Sequence, residues 1–269
     1  MTERTERVIR HAGVGRRVTV VRPTGITPAG PPPLVLFLHG TGGTADWADA
    51  DTGWGALAER EGFVLALPAG LPPDPAKPPK FLTNPPRWND GGTRPGDRLH
   101  AAADDVGFLA AVVTELVGQG VADGRRVFVT GFSNGAGMAF RFAAERADLV
   151  TAVAPVAGYC WTDTPPSRPV PTLYLIGDSD PLIPLAGGSV RLPWGGPAVV
   201  RPAVSDTLAK WERLNGEPPR LAVVPGLGHH WPGGTGLLGA KWGGPVGGPL
   251  DGTAAVWAFF RGVSPASVA

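Results

Sequence analysis

Three short segments carry side chains that could together cleave an acyl bond. Residues 131–135 read GFSNG, a G-x-S-x-G pattern in which a serine hydroxyl stands on a sharp turn for nucleophilic attack. Two acids, Asp178 and Asp180, and two adjacent histidines, His229 and His230, follow later in the chain. A histidine can take the serine proton as a general base, and an aspartate can hold the imidazole in the required tautomer.

The segment His39-Gly40-Thr41-Gly42-Gly43 could stabilise the negative charge that such an attack creates. A tetrahedral intermediate needs hydrogen-bond donors on its oxyanion. One is normally the backbone N–H of the residue after the nucleophile, here Asn134, and the other comes from the loop after an early strand, here Thr41. We expect His39 to shape this loop rather than to react.

Each of these segments follows a short apolar run that predicts a buried strand. Strands are predicted at Arg17–Arg22, Pro33–Leu38, Phe63–Leu67, Arg126–Thr130, Thr151–Val156, Thr172–Ile176 and Leu221–Val224. Helices are predicted at Asp46–Glu61, after Asp104-Asp105 as an acidic start, at Asn134–Arg146, from Pro202 to Asn215, and after Thr253 as a cap. Alternating strands and helices predict one α/β domain over residues 1–269, with a mostly parallel sheet and helices on both faces.

The order serine, aspartate, histidine is that of the α/β-hydrolase triad. In open α/β sheets, ligands bind beyond the carboxyl ends of the strands, and all the segments that could do chemistry lie there. The residues alone do not decide between Asp178 and Asp180, or between His229 and His230.

Composition excludes several other classes. The 40 glycines and 31 prolines make about a quarter of the 269 residues, a share that is also typical of disordered chains; here they cluster between apolar segments and therefore mark turns. The balance of 24 basic and 23 acidic residues argues against a nucleic-acid partner. No apolar run is long enough to span a membrane, and the single cysteine, Cys160, excludes an intramolecular disulfide.

No metal or cofactor is expected. Adjacent histidines point apart, and the chain lacks H-x-x-x-H spacing. Neither glycine-rich loop ends in the Lys-Ser/Thr of a phosphate-binding P-loop. Residues Met1–Arg10 alternate in charge and lack the apolar run of a signal peptide, so the chain as written is expected in the cytoplasm, or outside the cell where a leader has been removed.

The motifs resemble those of the polyhydroxybutyrate depolymerase and feruloyl esterase-like branch of the α/β-hydrolases. The resemblance rests on LHGTGG (38–43), RWN (87–89), DDVGFL (104–109), RVFVTGFSNGAGMA (126–139), VAPVAG (153–158), IGDSDPLIP (176–184), LAKWERLNG (208–216), GLGHHWPGG (226–234) and VWAFF (256–260). The combination of SNG-x-G-M with GH-x-WPGG is specific, whereas G-x-S-x-G alone is not.

The resemblance implies a serine carboxylic-ester hydrolase that forms an acyl-enzyme on Ser133, without a cofactor. It places the acid at Asp180 and the base at His229, with Asp178 kept as the alternative acid. The family pattern has a cysteine where this chain has Thr41, but a backbone donor survives that change. Two other functions stay open: a serine peptidase or amidase on the same fold, and a non-catalytic hydrolase-fold binding protein.

The expected partner is a small or polymeric ester, of the polyhydroxyalkanoate type or of a hydroxycinnamate or other aromatic acid. No polymer-binding module is recognisable, which argues against action on a solid polymer. Tryptophans in predicted loops could line a cleft for such rings; they are Trp88, Trp161, Trp194, Trp231 and Trp242. Trp88 and Trp231 are the predicted substrate contacts. Loops at Leu71–Gly96, Gly187–Pro202 and Gly233–Gly252 are expected to shape the cleft.

Overall fold

Alternating strands and helices form the layered α/β arrangement that the sequence predicts. The computed structural model describes residues 2–25, 30–92, 102–192, 196–236 and 238–263. Its strands are β1 (Thr2–His11), β2 (Val14–Pro23), β3 (Leu34–Leu38), β4 (Val64–Pro68), β5 (Val127–Phe132), β6 (Ala152–Val156), β7 (Leu173–Gly177), β8 (Gly188–Val190), β9 (Val199–Arg201) and β10 (Arg220–Val224). Its helices are α1 (Ala45–Thr52), α2 (Trp54–Glu61), α3 (Asp105–Gly118), α4 (Asn134–Glu145), α5 (Val204–Asn215), α6 (Ala240–Gly243) and α7 (Gly252–Arg261).

An eight-stranded sheet organises the molecule in the order β1-β2-β4-β3-β5-β6-β7-β10. The strands from β4 to β10 in this order run parallel, while β1 and β2 are antiparallel to their neighbours. Strands β3 to β6 are buried along their whole length, as expected where helices cover both faces of a sheet. One apolar core extends through the strands and helices.

The amino-terminal hairpin is not apparent from the sequence. Strand β1 pairs with β2 from Thr2–Pro23 to His11–Val14, and the residues between them, Ala12 and Gly13, have φ angles of 47° and 79°. Positive φ at both positions is the requirement of a type I′ turn, which normally selects Asn-Gly or Asp-Gly. Alanine at the first position hides this signal.

Two helix predictions need correction. The predicted helix Asp46–Glu61 is two helices, because Gly53 adopts a left-handed conformation at φ 71° and ends α1 before α2 begins. The last helix is capped by Asp251, whose carboxylate accepts from the Ala254 N–H, and not by Thr253. The Thr253 hydroxyl instead donates to the Thr52 carbonyl.

The stretches predicted as loops are only partly irregular. The Gly187–Pro202 stretch contains the β8–β9 hairpin, and Gly233–Gly252 contains α6. Residues 93–101, at the end of the long proline-rich stretch, lie outside the described residues, as does Trp194. In the part of the chain that is described, no helix has the length and apolar character needed to cross a membrane, and no group of three or more His, Cys, Asp or Glu side chains is placed to hold a metal ion.

Candidate active site

Ser133 occupies a sharp turn between β5 and α4. Its backbone has φ 56° and ψ −117°, a conformation that is costly for a residue with a side chain and that persists only where the surroundings enforce it. The Ser133 N–H donates to the Val156 carbonyl at 2.9 Å, which ties the turn to the neighbouring strand β6. The turn places Ser133 directly after the carboxyl end of β5.

The two glycines of G-x-S-x-G are required by close backbone contacts. A Cβ atom on Gly135 would lie 2.0 Å from the Leu38 carbonyl oxygen, and one on Gly131 would lie 2.4 Å from the Gly135 oxygen. Any side chain at either position would push the turn away from β3. The motif therefore lets the serine turn pack directly against the strand that precedes the HGTGG loop.

A chain of two hydrogen bonds joins Ser133, His229 and Asp180. The Ser133 Oγ lies 2.9 Å from His229 Nε2, and His229 Nδ1 lies 2.7 Å from Asp180 Oδ2. The other Asp180 oxygen accepts the N–H groups of Leu182 and Ile183, both at 2.8 Å. His229 is 3% exposed and Asp180 4% exposed. When Nδ1–H donates to the carboxylate, Nε2 is left to accept the serine proton, which is the arrangement that a general base needs.

The competing acid and histidine face elsewhere. The exposed Asp178 accepts from the Gly226 N–H at 2.7 Å and from the Ser179 hydroxyl at 2.9 Å, so it braces its own turn. His230 Nε2 donates to the Gly244 carbonyl at 3.1 Å, and His230 lines neither cavity that includes Ser133. The geometry thus favours Asp180 and His229, as the family resemblance implies.

Two backbone N–H groups of the HGTGG loop are bound within the protein. The Gly42 N–H donates to the Pro86 carbonyl at 2.8 Å and the Gly43 N–H donates to the Gly40 carbonyl at 3.0 Å. Within the described ranges, the backbone N–H groups of Thr41 and Asn134 have no hydrogen-bond acceptor. Both residues line the cleft beside Ser133, which is what an oxyanion hole requires.

The Asn134 side chain fixes the long proline-rich segment to the serine turn. Its Oδ1 accepts from the Trp88 N–H at 2.8 Å, and its Nδ2 donates to Asp90 Oδ2 at 2.6 Å. The Trp88 indole N–H in turn donates to the His39 carbonyl at 2.9 Å. The side chain of Asn134 therefore holds the cleft wall against the serine turn.

His39 is a structural residue, as expected. Its Nδ1–H donates to the Gly40 carbonyl at 2.7 Å, and its Nε2 accepts from the Gly70 N–H at 2.9 Å. Complete burial lowers the pKa of His39 to about 4, although the Gly40 carbonyl partly opposes this shift. The ring is therefore neutral at neutral pH and holds the HGTGG loop against the segment after β4.

Acidification is expected to destabilise the protein through His39. The unfolded imidazole, with an ordinary pKa of 6.5, binds a proton as the pH falls below that value, while the folded ring stays neutral until about pH 4. The contribution of neutral His39 to the free energy of unfolding is therefore fully present above pH 6.5. It is lost as the pH falls from 6.5 to 4, by about 2 kcal/mol at pH 5. In urea titrations, the free energy of unfolding of wild type should be lower at pH 5 than at pH 7. This decrease should be smaller by about 2 kcal/mol in His39→Gln, and equal decreases in the two proteins would contradict the assignment.

The cleft above Ser133 has two lobes. The first has a volume of about 510 Å³ and the second about 690 Å³. Both include Thr41, Phe81, Leu82, Ser133, Leu182 and His229. The first is otherwise lined by apolar and small side chains, among them Trp47, Phe132, Leu238 and Trp242. The second also contains Arg87, Asp90, Tyr159, Trp161 and Arg201. The two lobes therefore meet at Ser133.

The predicted substrate contacts Trp88 and Trp231 are wrong. Trp88 is 0% exposed and lies beneath the HGTGG loop. Trp231 is also buried; its indole N–H donates to the Thr253 hydroxyl at 2.8 Å, and its ring packs against Phe37. Neither residue lines a lobe. Both are packing residues because their indole N–H groups find partners inside the core.

Other aromatic residues form the walls. Of the remaining loop tryptophans, Trp161 lines the second lobe and Trp242 the first. Phe81, which the sequence does not single out, lies over both lobes, and its ring meets Trp242 at a centroid distance of 6.4 Å. Phe81 also packs on Gly42, where an added Cβ would lie 2.4 Å from its ring. These contacts join distant segments, so no local pattern announces them.

Comparison with solved structures supports the fold. Native pOPH matches with a TM-score of 0.61 at 17% sequence identity, over 86% of this chain and 82% of that one. Esterase PE8 matches with a TM-score of 0.58 at 18% identity, over 91% of this chain and 97% of that one. At such low identity the likeness concerns the fold alone, which is the predicted α/β-hydrolase fold.

Comparison of sequences identifies the family. The chain is 32% identical over 243 residues to "Putative esterase NocK" of Nocardia uniformis subsp. tsuyamanensis, which covers 76% of this chain and 66% of that protein. It is 27% identical over 211 residues to feruloyl esterase B of Piromyces equi, which covers 75% of this chain and 36% of that protein. The chain thus spans less than two thirds of the length of these relatives. The profile of the family called Esterase PHB depolymerase matches residues 21–204, more than half of the chain, and the protein therefore belongs to that family.

Proposed function

We propose that the protein is a serine carboxylic-ester hydrolase that works through an acyl-enzyme. The observation that carries this proposal is the chain of hydrogen bonds from Ser133 through His229 to Asp180, located where two lobes of the cleft meet. Membership of an esterase family and the names of the relatives support the same reaction class. The roles of individual residues in this reaction are part of the proposal.

In the first half of the reaction, Ser133 Oγ attacks the acyl carbon while His229 Nε2 takes its proton. The backbone N–H groups of Thr41 and Asn134 donate to the resulting oxyanion. The intermediate collapses when the bond to the alcohol oxygen breaks, and His229 gives its proton to that oxygen. Asp180 stabilises the charged imidazole throughout and stays ionised.

In the second half, water replaces the alcohol. His229 takes a proton from the water as its oxygen attacks the acyl carbon, and the second oxyanion uses the same two N–H donors. Breaking the bond to Ser133 Oγ returns the proton to the serine and releases the acid. Every proton transfer runs through His229, so the proposed cycle needs no cofactor.

The lining of the first lobe indicates an apolar substrate group. Trp47, Phe132 and Trp242 present rings and Leu238 an aliphatic side chain, which would bury an aromatic or aliphatic half of the ester. Esters of the polyhydroxyalkanoate type and of hydroxycinnamate or other aromatic acids therefore head the proposed substrates. The ester is either a small molecule or a unit of a polymer.

Matched ester and amide substrates test this proposal. p-Nitrophenyl esters of short aliphatic and aromatic acids should be hydrolysed, whereas the p-nitroanilides of the same acids should show no turnover above the uncatalysed rate. A fluorophosphonate probe should label Ser133 in the same preparation. Anilide turnover above the uncatalysed rate would indicate a peptidase or amidase, and failure to label or to cleave either series would indicate a binding protein.

A further inference from the structure

The second lobe differs from the first because it carries polar side chains close to the nucleophile. Tyr159 lines this lobe together with Ser133, Asn134 and Gly158. Gly158 packs so tightly on the serine turn that an added Cβ would lie 2.3 Å from the Ser133 carbonyl oxygen. Tyr159 is the next residue, so its position is set directly by the turn that carries the nucleophile.

The Tyr159 ring is held on more than one side. The ring of Trp161 meets it at a centroid distance of 5.1 Å, and the Arg201 guanidinium lies 5.7 Å from its centroid. The ring therefore has a defined position in the wall of the second lobe. Burial raises the pKa of Tyr159 to about 12, with Arg201 acting in the opposite direction, so the phenol keeps its proton at neutral pH and can donate a hydrogen bond.

The Tyr159 hydroxyl has no hydrogen-bond partner among the described residues, although the side chain is only 3% exposed. The other tyrosine of the chain provides a contrast, since the buried Tyr174 hydroxyl donates to the Gly158 carbonyl at 2.8 Å. Buried hydroxyls are normally satisfied because an unpaired one has lost its bonds to water. The exception at Tyr159 belongs to a residue that lines the cleft, three residues after the end of β6.

We propose that Tyr159 is a specificity-determining residue that donates a hydrogen bond to an oxygen atom of the substrate other than those of the scissile ester. This inference rests on the proposed function and narrows its substrate class. The half of the ester that occupies the second lobe carries an ether, carbonyl or hydroxyl oxygen, while the other half enters the apolar first lobe. A site built around a hydrogen bond disfavours the all-carbon analogue, because the buried donor is then left unpaired.

Two pairs of esters, each exchanging one oxygen for a methylene group, test the inference. p-Nitrophenyl methoxyacetate and p-nitrophenyl butyrate differ only in the acyl half; 2-methoxyethyl butyrate and butyl butyrate differ only in the alcohol half. The quantity measured is the ratio of kcat/KM within each pair, compared between wild type and Tyr159→Phe, so that intrinsic reactivity cancels. We expect the preference for the oxygen-bearing member to fall about tenfold in one of the pairs.

Tyr174→Phe is the matched control. It removes the hydroxyl that is satisfied inside the core, so we expect a lower Tm with unchanged ratios for both pairs. Tyr159→Phe should keep or raise the Tm, because it removes a buried polar atom without an internal partner. Unchanged ratios in Tyr159→Phe overturn the inference, and so does a loss of Tm as large as that of Tyr174→Phe, since the hydroxyl would then have a structural partner.

The failure of this inference is distinguishable from failure of the proposed function. If wild type hydrolyses the esters and Tyr159→Phe keeps every ratio, the esterase proposal stands and the role of Tyr159 is rejected. If wild type hydrolyses none of them and the fluorophosphonate does not label Ser133, the proposed function fails and the inference fails with it.

Discussion

Replacing Ser133 with alanine is expected to lower kcat for a p-nitrophenyl ester by about 10⁴- to 10⁶-fold. In the proposed mechanism, the Ser133 Oγ is the atom that bonds to the acyl group. Among the described residues, no other serine or threonine hydroxyl lies within hydrogen-bond distance of His229. Alanine meets the same backbone constraint at φ 56°, so the turn and the fold should persist. Circular dichroism, Tm and rates measured on one preparation check both statements.

Ser179→Ala provides the control for this experiment. Ser179 is exposed, also follows a strand of the sheet, and its hydroxyl donates only to Asp178 at 2.9 Å. Its replacement should leave both turnover and fluorophosphonate labelling unchanged, whereas Ser133→Ala should lose both. A Ser133→Ala protein that keeps full activity would remove the serine mechanism altogether.

Replacing Asp180 with asparagine is expected to lower kcat by about 10³- to 10⁴-fold. The carboxylate accepts from His229 Nδ1–H at 2.7 Å, and this bond leaves Nε2 free of a proton. An amide N–H placed at the same position would turn the imidazole into the other tautomer, with its proton on Nε2, where it can no longer accept from Ser133. The geometry would be preserved while the base is lost.

Asp178→Asn is the matched control. Asp178 lies two residues away, is exposed, and accepts from the Gly226 N–H, a bond that an asparagine oxygen can also make. Its activity should stay within about a factor of two of wild type. Steady-state kinetics of the two variants decide the acid, because a large loss in Asp178→Asn together with a small one in Asp180→Asn would reverse the assignment.

The side chains of the proposed triad are predictable from the sequence because the sheet positions them. Ser133 and Asp180 follow the buried strands β5 and β7, whereas His229 follows β10, an edge strand that is mostly exposed. Parallel strands bring their carboxyl ends to one edge of the sheet, whatever their burial. The choice of acid is not predictable from strand positions alone, since Asp178 and Asp180 share one turn. It depends on backbone N–H groups: those of Leu182 and Ile183 orient Asp180.

The walls of the cleft are much less predictable. Phe81 is held at the cleft by contacts with Gly42 and Trp242, which are distant from it in the sequence. The residues adjacent to Phe81 in the sequence do not indicate these contacts. The location of Trp88 and Trp231 in predicted loops predicts contact with the substrate, yet both side chains are buried. The periodicity of a sequence identifies strands and helices, whereas the exposure of a loop side chain depends on tertiary packing that periodicity does not describe.

A free, buried cysteine lies in the segment that carries Tyr159. The only cysteine of the chain, Cys160, is the next residue, and its thiol is free and buried. Burial raises the pKa of Cys160 to about 12, so almost no reactive thiolate exists at pH 8 while the segment is closed. Alkylation of the native protein therefore requires local or global opening around Cys160, and a ligand that fills the neighbouring second lobe should slow it without any introduced label.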